Sequence, residues 1–275
     1  MDIDPLSDTV PSRYAVESDE EDEFNPLVPQ RPAKQATTIS IQLQGNVSQS
    51  GPVIIAIGDA GNSWACGALL GEPSGVVTVN GLQAGSLFTP AWMTGTVLVS
   101  EVTTRLPIWA MHRYAHWILS TLKPSKVSIL DTYPVPSYIS SHPTSVYDAP
   151  VRYLCTAGRL PQGAFQPFDP PNMIQSTSAS FMSILSIQKV DGTLLLLPSF
   201  HVPAPHPAEC SQYHLPTSNL STRWPAHLLQ IVQEQLTESV GEECQMQWHP
   251  TAGSEKLTQV AAKRRGDVGE GGMYI

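Results

Sequence analysis

Residues 52–58 read Pro-Val-Ile-Ile-Ala-Ile-Gly, an unbroken apolar run closed by glycine. No polar position interrupts it, so it predicts a strand covered on both faces rather than one bordering solvent. Such a strand needs layers above and below it, and the rest of the chain contains the patterns to build them. Further strands are expected at TTISIQL (37–43), GVVTVNG (75–81), GTVLVSE (95–101), KVSILD (126–131), VRYLCTA (151–157) and GTLLLLPSF (192–200). Gly58, Gly61 and Asn62 are expected to turn the first of these runs into a helix over SWACGALLG. The clearest helix follows Pro107, with Ile108, Met111, Ala115, Ile118, Leu119 and Leu122 at three- and four-residue steps, ended by Lys123-Pro124. Others are expected from Ser176 to Gln188, and from Pro225 through Leu228, Leu229, Val232 and Leu236 to Val240. Strands alternating with helices define an α/β class, a single domain over 37–240 with a largely parallel sheet flanked by helices.

Charge separates the ends from this body. The chain has 275 residues and a net charge of -9, and residues 1–24 hold nine acids against Arg13 alone. With five prolines as well, residues 1–36 read as a disordered acidic arm. The remainder is nearly neutral and has no Lys/Arg stripe, which argues against nucleic acid as a partner. The apolar runs VIIAI and LLLL fall far short of the length of about 20 residues that spans a membrane, so no membrane partner is expected. The start MDIDPLSDTV shows no apolar signal segment. Cys66, Cys155, Cys210 and Cys244 lie tens of residues apart, as reduced thiols of a cytoplasmic or nuclear protein would. Two Pro/Ser-rich stretches, 132–149 and 201–222, read as long loops. Residues 241–275 read as a flexible tail.

Several constellations invite a catalytic or metal reading. GDAGNS at 58–63 has neither GxGxxG nor GK[ST], so it builds no phosphate cradle, and no cofactor is expected. GNSWA approaches a nucleophile elbow at Ser63, with Asp131 and histidines downstream in the order of an α/β hydrolase. Ala65 stands where the second glycine belongs, and too few strands precede Ser63. His112 and His116 share a helix face, but HRYAH lacks the glutamate of HExxH. His201, His206, Cys210 and His214 form a possible zinc set whose spacing fits no common finger, and no metal is expected. Cys155 reads as a buried strand thiol with no assignable base. No catalytic set emerges, and a non-enzymatic role is expected.

The last residues, Met273-Tyr274-Ile275, follow a glycine-rich lead-in. A hydrophobic residue, a tyrosine and a carboxylate in sequence can dock as one unit, with the carboxylate on a partner lysine and the ring adding apolar area with a polar tip. This tripeptide resembles the HbYX motif (hydrophobic, Tyr, any residue) of proteasome assembly chaperones and activators. The segment VIIAIGDAGNSWACGALLG resembles the strand, glycine and helix segment of the proteasome assembly chaperone 1 family. VSILDTYPVPSYISS, PVRYL, PPNMIQSTSASFMSILSI and TLLLLPSF follow in the same order as in that family. The resemblance covers about 39–240 and the final three residues, with 201–222 standing as an insertion.

The resemblance implies a binding protein without nucleotide. It would pair with a sister subunit, proteasome assembly chaperone 2, sit on the α ring of the 20S particle, and place Met273, Tyr274 and Ile275 in a pocket between α subunits. The alternatives are a divergent hydrolase using Ser63 and an HbYX-bearing proteasome activator.

Overall fold

The run at 52–58 forms strand β2 (Val53–Ile57), all five residues of which are buried. The computed structural model describes residues 38–46, 49–140, 145, 148–156, 165–212, 224–243 and 246–249. In chain order the remaining strands are β1 (Ile41–Gly45), β3 (Gly75–Val79), β4 (Leu82–Phe88), β5 (Thr96–Ser100), β6 (Thr104–Arg105), β7 (Lys126–Pro134), β8 (Arg152–Cys155), β9 (Gln166–Pro167), β10 (Asp191–Ser199) and β11 (Ser211–Gln212). The helices are α1 (Gly58–Ala65), α2 (Ile108–Leu122), α3 (Thr177–Gln188) and α4 (Ala226–Val240).

Nine strands form one sheet in the order β1-β3-β4-β5-β2-β7-β10-β8-β9. Its centre, β5-β2-β7-β10, is parallel throughout. The β1-β3-β4 flank is antiparallel and joins β5 antiparallel, and β8 pairs antiparallel with β10 and parallel with β9. The α/β domain is therefore built on a mixed sheet with a parallel core. The parallel expectation holds where the apolar runs are continuous, and gives way where alternation lets a hairpin form.

Side-chain alternation assigns the two faces. Val53, Ile55 and Ile57 pack with Tyr114, Ile118, Phe181 and Leu185 of α2 and α3. Ile54 and Ala56 pack with Trp64, Leu229, Val232 and Leu236 of α1 and α4. In β10, Leu194 and Leu196 join the first cluster while Leu195 and Leu197 join the second, and all four are 0% exposed. At about 1.5–3 kcal/mol each, these four leucines contribute a burial term comparable to the whole net stability of a domain.

Local details differ from expectation in instructive ways. Gly58, Gly61 and Asn62 do not turn the chain ahead of a helix. They lie within α1, which starts at Gly58 (φ +56°) directly after β2. A Cβ on Gly61 would lie 2.4 Å from the Ala56 carbonyl carbon, so only glycine lets α1 sit this close to the strand end. Strand β4 was not anticipated. Asn80 and Gly81, with φ of +50° and +80°, form the tight turn of the β3-β4 hairpin, and that Asn-Gly pair was its signal. The first strand lies at 41–45 rather than 37–43. The stretch after 132 first extends β7 to Pro134 and then makes a 3-10 turn at Val135–Ser137. In the 201–222 stretch, β11 pairs with β6, Arg105 Nη2 donates to Ala204 O at 2.7 Å, and Trp109 Nε1 donates to Ala208 O at 2.9 Å.

The packed body also continues past Val240. Trp248 is 6% exposed, its Nε1 donates to Trp64 O at 2.8 Å, and Gln233 Nε2 donates to Met246 O at 2.9 Å. A Cβ on Gly67 would lie 2.3 Å from the Trp248 ring, so that glycine makes the seat. From sequence, 241–275 reads as a flexible tail because a single tryptophan has no periodicity. Trp248→Ala should lower stability by about 3–5 kcal/mol, read as a reduced denaturant midpoint in chemical unfolding. An unchanged midpoint would show that 246–249 contributes nothing to the body.

Candidate functional site

In an open α/β sheet, ligand crevices form beyond the carboxyl ends of parallel strands, where neighbouring connections leave toward opposite faces. Strands β2 and β5 are such neighbours, because β2 leads into α1 on one face and β5 leads through β6 to α2 on the other. Asp59 follows β2, Glu101 follows β5, and Asp131 lies in β7 beside them. The N-terminus of α3 closes over this end with Ser176, Thr177 and Ser178.

Asp131 is 6% exposed. Its Oδ1 accepts the Thr132 N–H at 2.7 Å, and its Oδ2 accepts the Ser176 hydroxyl at 2.6 Å together with the Ser178 hydroxyl. Burial raises its pKa above the usual aspartate range, with Asp59 adding to the shift and the two serines and the Thr132 N–H opposing it. Ser176 starts α3 without capping it, because its hydroxyl is turned to Asp131 instead.

Glu101 adopts φ +57°, a left-handed conformation rare for a residue with a Cβ. Burial pushes its pKa up to about 7, Asp131 adds to the rise, and the Thr177 hydroxyl, the Leu106 N–H and Arg105 oppose it. The Thr177 hydroxyl is near enough to act on the carboxyl, yet neither Glu101 Oε1 nor Thr177 Oγ1 completes a hydrogen bond of normal geometry. Next to this group the Ser100 hydroxyl and the Tyr114 hydroxyl meet at 2.8 Å, and burial raises the Tyr114 pKa as well. The strand ends thus gather Asp59, Glu101 and Asp131, with burial raising the pKa of Glu101 and Asp131 and the neighbouring hydroxyls opposing the rise.

The hydrolase constellation is not assembled by hydrogen bonds. Ser63 is the sixth residue of α1 rather than the tip of a strand-to-helix elbow, and its buried hydroxyl has no hydrogen-bond partner. Asp131 is engaged by serines and its own strand. His112 and His116 lie on the exposed side of α2 and line a groove of about 560 Å³ with Ile39, Ser40, Ile41, Arg113 and Trp117. Among the described residues no three His, Cys, Asp or Glu side chains converge to hold a metal. His214 of the zinc set lies outside the described residues, and Cys210 instead receives Asn80 Nδ2 at 4.0 Å. Cys155 is a half-buried thiol, 3.8 Å from Thr193 Oγ1, with a pKa raised by burial. Met273, Tyr274 and Ile275 lie outside the described residues, as does the acidic arm. Sequence reasoning missed Glu101, Ser176 and Ser178. Their only signal was position, at the end of one predicted strand and the start of one predicted helix.

Fold and strand-end geometry define a three-layer α/β protein with a doubly wound parallel core. No family model matches the chain, and no curated protein matches it in sequence. Solved structures of similar fold include Pyrococcus furiosus PbaB, an archaeal proteasome activator. It is 12% identical, with a TM-score of 0.49 over 82% of this chain and 98% of that one. Pyrococcus furiosus PbaA, an archaeal homolog of proteasome-assembly chaperone, is 10% identical, with a TM-score of 0.48 over 82% and 94%. A Mycobacterium tuberculosis protein of unknown function is 14% identical, with a TM-score of 0.44 over 84% of each chain.

The carboxyl cluster carries a sign for stability against pH. Between the ordinary glutamate value of 4.5 and about 7, folded Glu101 keeps a proton that the unfolded chain has released. Its contribution is therefore fully present below 4.5, is lost as pH rises through about 7, and stays lost above. Glu101→Gln should raise the melting temperature at pH 8 and flatten, without abolishing, the decline between pH 5 and 7.5, since Asp131 acts in the same direction. Scanning calorimetry of both proteins across that range checks this, and parallel curves would contradict it.

Proposed function

We propose that this chain is a proteasome assembly chaperone that acts by binding. The observation that carries the reading is the ordered set of segments resembling the proteasome assembly chaperone 1 family, which are neighbours in this fold. They comprise β2 with α1, β7 with its 3-10 turn, β8, and α3 with β10. The reading assigns the chain a sister subunit, proteasome assembly chaperone 2, and places the pair on the α ring in the cytoplasm or nucleus. Met273, Tyr274 and Ile275 would enter a pocket between α subunits, with the tyrosine ring filling it and the Ile275 carboxylate on a pocket lysine.

Two features of the body support a role in binding. Ile139 and Met173 are 63% and 77% exposed. Asn172 draws their segments together, accepting the Ile139 N–H and donating to Ile139 O, both at 2.8 Å. An apolar pair held outward by a dedicated side chain suits contact with another subunit better than contact with water. The second feature is a body anchored as far as Trp248, which leaves 24 residues before Met273. That length spans at most about 80 Å when extended, enough for body and terminus to engage the ring together.

Two-point attachment sets the expected effect. Tyr274→Ala, or one glycine appended after Ile275, should weaken binding to immature α-ring particles by about 10- to 100-fold at matched salt. Co-expression with the sister subunit should still give a one-to-one complex. Wild-type binding by both variants, measured by surface plasmon resonance, would remove the terminus from the mechanism. Faster peptide hydrolysis by mature 20S particles would favour an activator instead.

A further inference from the structure

Two stretches of chain on the α2 and α3 side of the sheet are tied together at both ends. One runs from Asp131 in β7 through the 3-10 turn to Ile139, and the other from Asp169 to Ser178 in the first turn of α3. At the inner end Asp131 Oδ2 accepts the Ser176 and Ser178 hydroxyls. At the outer end Asn172 accepts the Ile139 N–H and donates to Ile139 O, and Tyr138 Oη accepts the Asp169 N–H at 3.2 Å. The exposed Ile139 and Met173 therefore share one frame, and the seat of the first turn of α3 on the strand ends sets it.

Thr177 lies between the two serines and faces a different carboxyl. Glu101 meets it from the end of β5 on a left-handed backbone, a conformation that persists only where its surroundings impose it. Glu101 Oε1 and Thr177 Oγ1 are both buried, and neither completes a hydrogen bond. The charged and titratable groups facing Glu101 are Asp131 of β7, Arg105 of β6, Tyr114 of α2 and Cys210 just ahead of β11, while Asp59 of α1 acts on Asp131. A second charge beside Asp131, on an oxygen shielded from water, is relieved by letting water in. The ladder bonds of β5 to β2 and β4 resist such a movement, whereas the incomplete contact between Glu101 and Thr177 does not.

We propose that the strand-end carboxyls form a proton-operated latch on α3. With Glu101 protonated, the first turn of α3 is held and Ile139 and Met173 keep their frame; with the proton lost, that turn lifts and the frame loosens. A group that holds its proton more tightly in the closed state than in the open one favours opening as pH rises. Burial pushes the Glu101 pKa up to about 7, so the latch works across neutral pH. Its consequence for binding rests on Ile139 and Met173 being a contact surface of the body, as proposed above, but the latch itself does not.

Amide hydrogen exchange of the full chain at pH 6 and pH 8, read by mass spectrometry and corrected for the intrinsic rate, tests the latch without any substitution. Returning Glu101 from about 7 to the ordinary 4.5 on opening predicts about a tenfold loss of protection in peptides spanning 136–140 and 172–180. Low urea should leave that exchange unchanged while speeding exchange in β2 and β5, because a local opening exposes little surface. Glu101→Gln should remove most of the loss. Equal protection at the two pH values, the same loss in Glu101→Gln, or a urea response matching that of β2 would overturn the latch. Affinity for the proposed sister subunit at the same two pH values separates latch from contact. A fall of about tenfold alongside the exchange change supports both, whereas unchanged affinity keeps the latch and removes Ile139 and Met173 from the contact.

Discussion

Covering both faces of Val53–Ile57 is the constraint on which the other parts of the molecule depend. Each of its five residues is at most 4% exposed, so α2 and α3 must close one face while α1 and α4 close the other. That requirement makes the central strands parallel, because chain crossing over a face returns to the same end of the sheet. It also sets α1 so close to the strand end that Gly61 admits no side chain against Ala56. The antiparallel hairpin of β3 and β4 is an addition at one flank, where burial alternates along β3 while β4 is buried from Ala84 to Phe88.

Parallel strands gather their carboxyl ends, and with them whatever the sequence places there. Here it places Asp59, Glu101 and Asp131, and the fold answers with the hydroxyls of Ser176 and Ser178 on Asp131 and with the Thr177 hydroxyl and Arg105 near Glu101. Desolvation penalises a charged carboxylate, which is why burial is the largest cause of the raised pKa of both Glu101 and Asp131. The same arrangement keeps Asp131 out of a catalytic relay. Its carboxylate oxygens accept from Thr132, Ser176 and Ser178, and the buried Ser63 hydroxyl of α1 has no hydrogen-bond partner.

Legibility in the sequence followed the length of the pattern. The 3.6-residue repeat of α2 and α4 and the unbroken apolar runs of β2 and β10 stand out because many residues carry the same message. Helix α3 is apolar on several sides, yet Ser176 and the glycine-free run after it still mark its start. The hairpin strand β4 was missed because Leu82-Gln83-Ala84-Gly85-Ser86-Leu87-Phe88 is polar and small in its first half, although Asn80-Gly81 announced the turn. Trp248 was missed for a different reason. A single anchor fitted over Gly67 depends on a contact 181 positions away along the chain, which no local window contains. The carboxyl cluster likewise exists only once three separate strand ends and a helix start converge.

The functional account joins a rigid body to a terminal tripeptide, and it holds that the chain recognises a proteasome ring still being built. Native mass spectrometry addresses that claim directly: the full chain, together with the proposed sister subunit, is mixed with immature α-ring particles and, separately, with mature 20S particles. The account predicts a stoichiometric complex with the immature particles and little or none with the mature ones. Equal occupancy of both, or binding to neither, would contradict it.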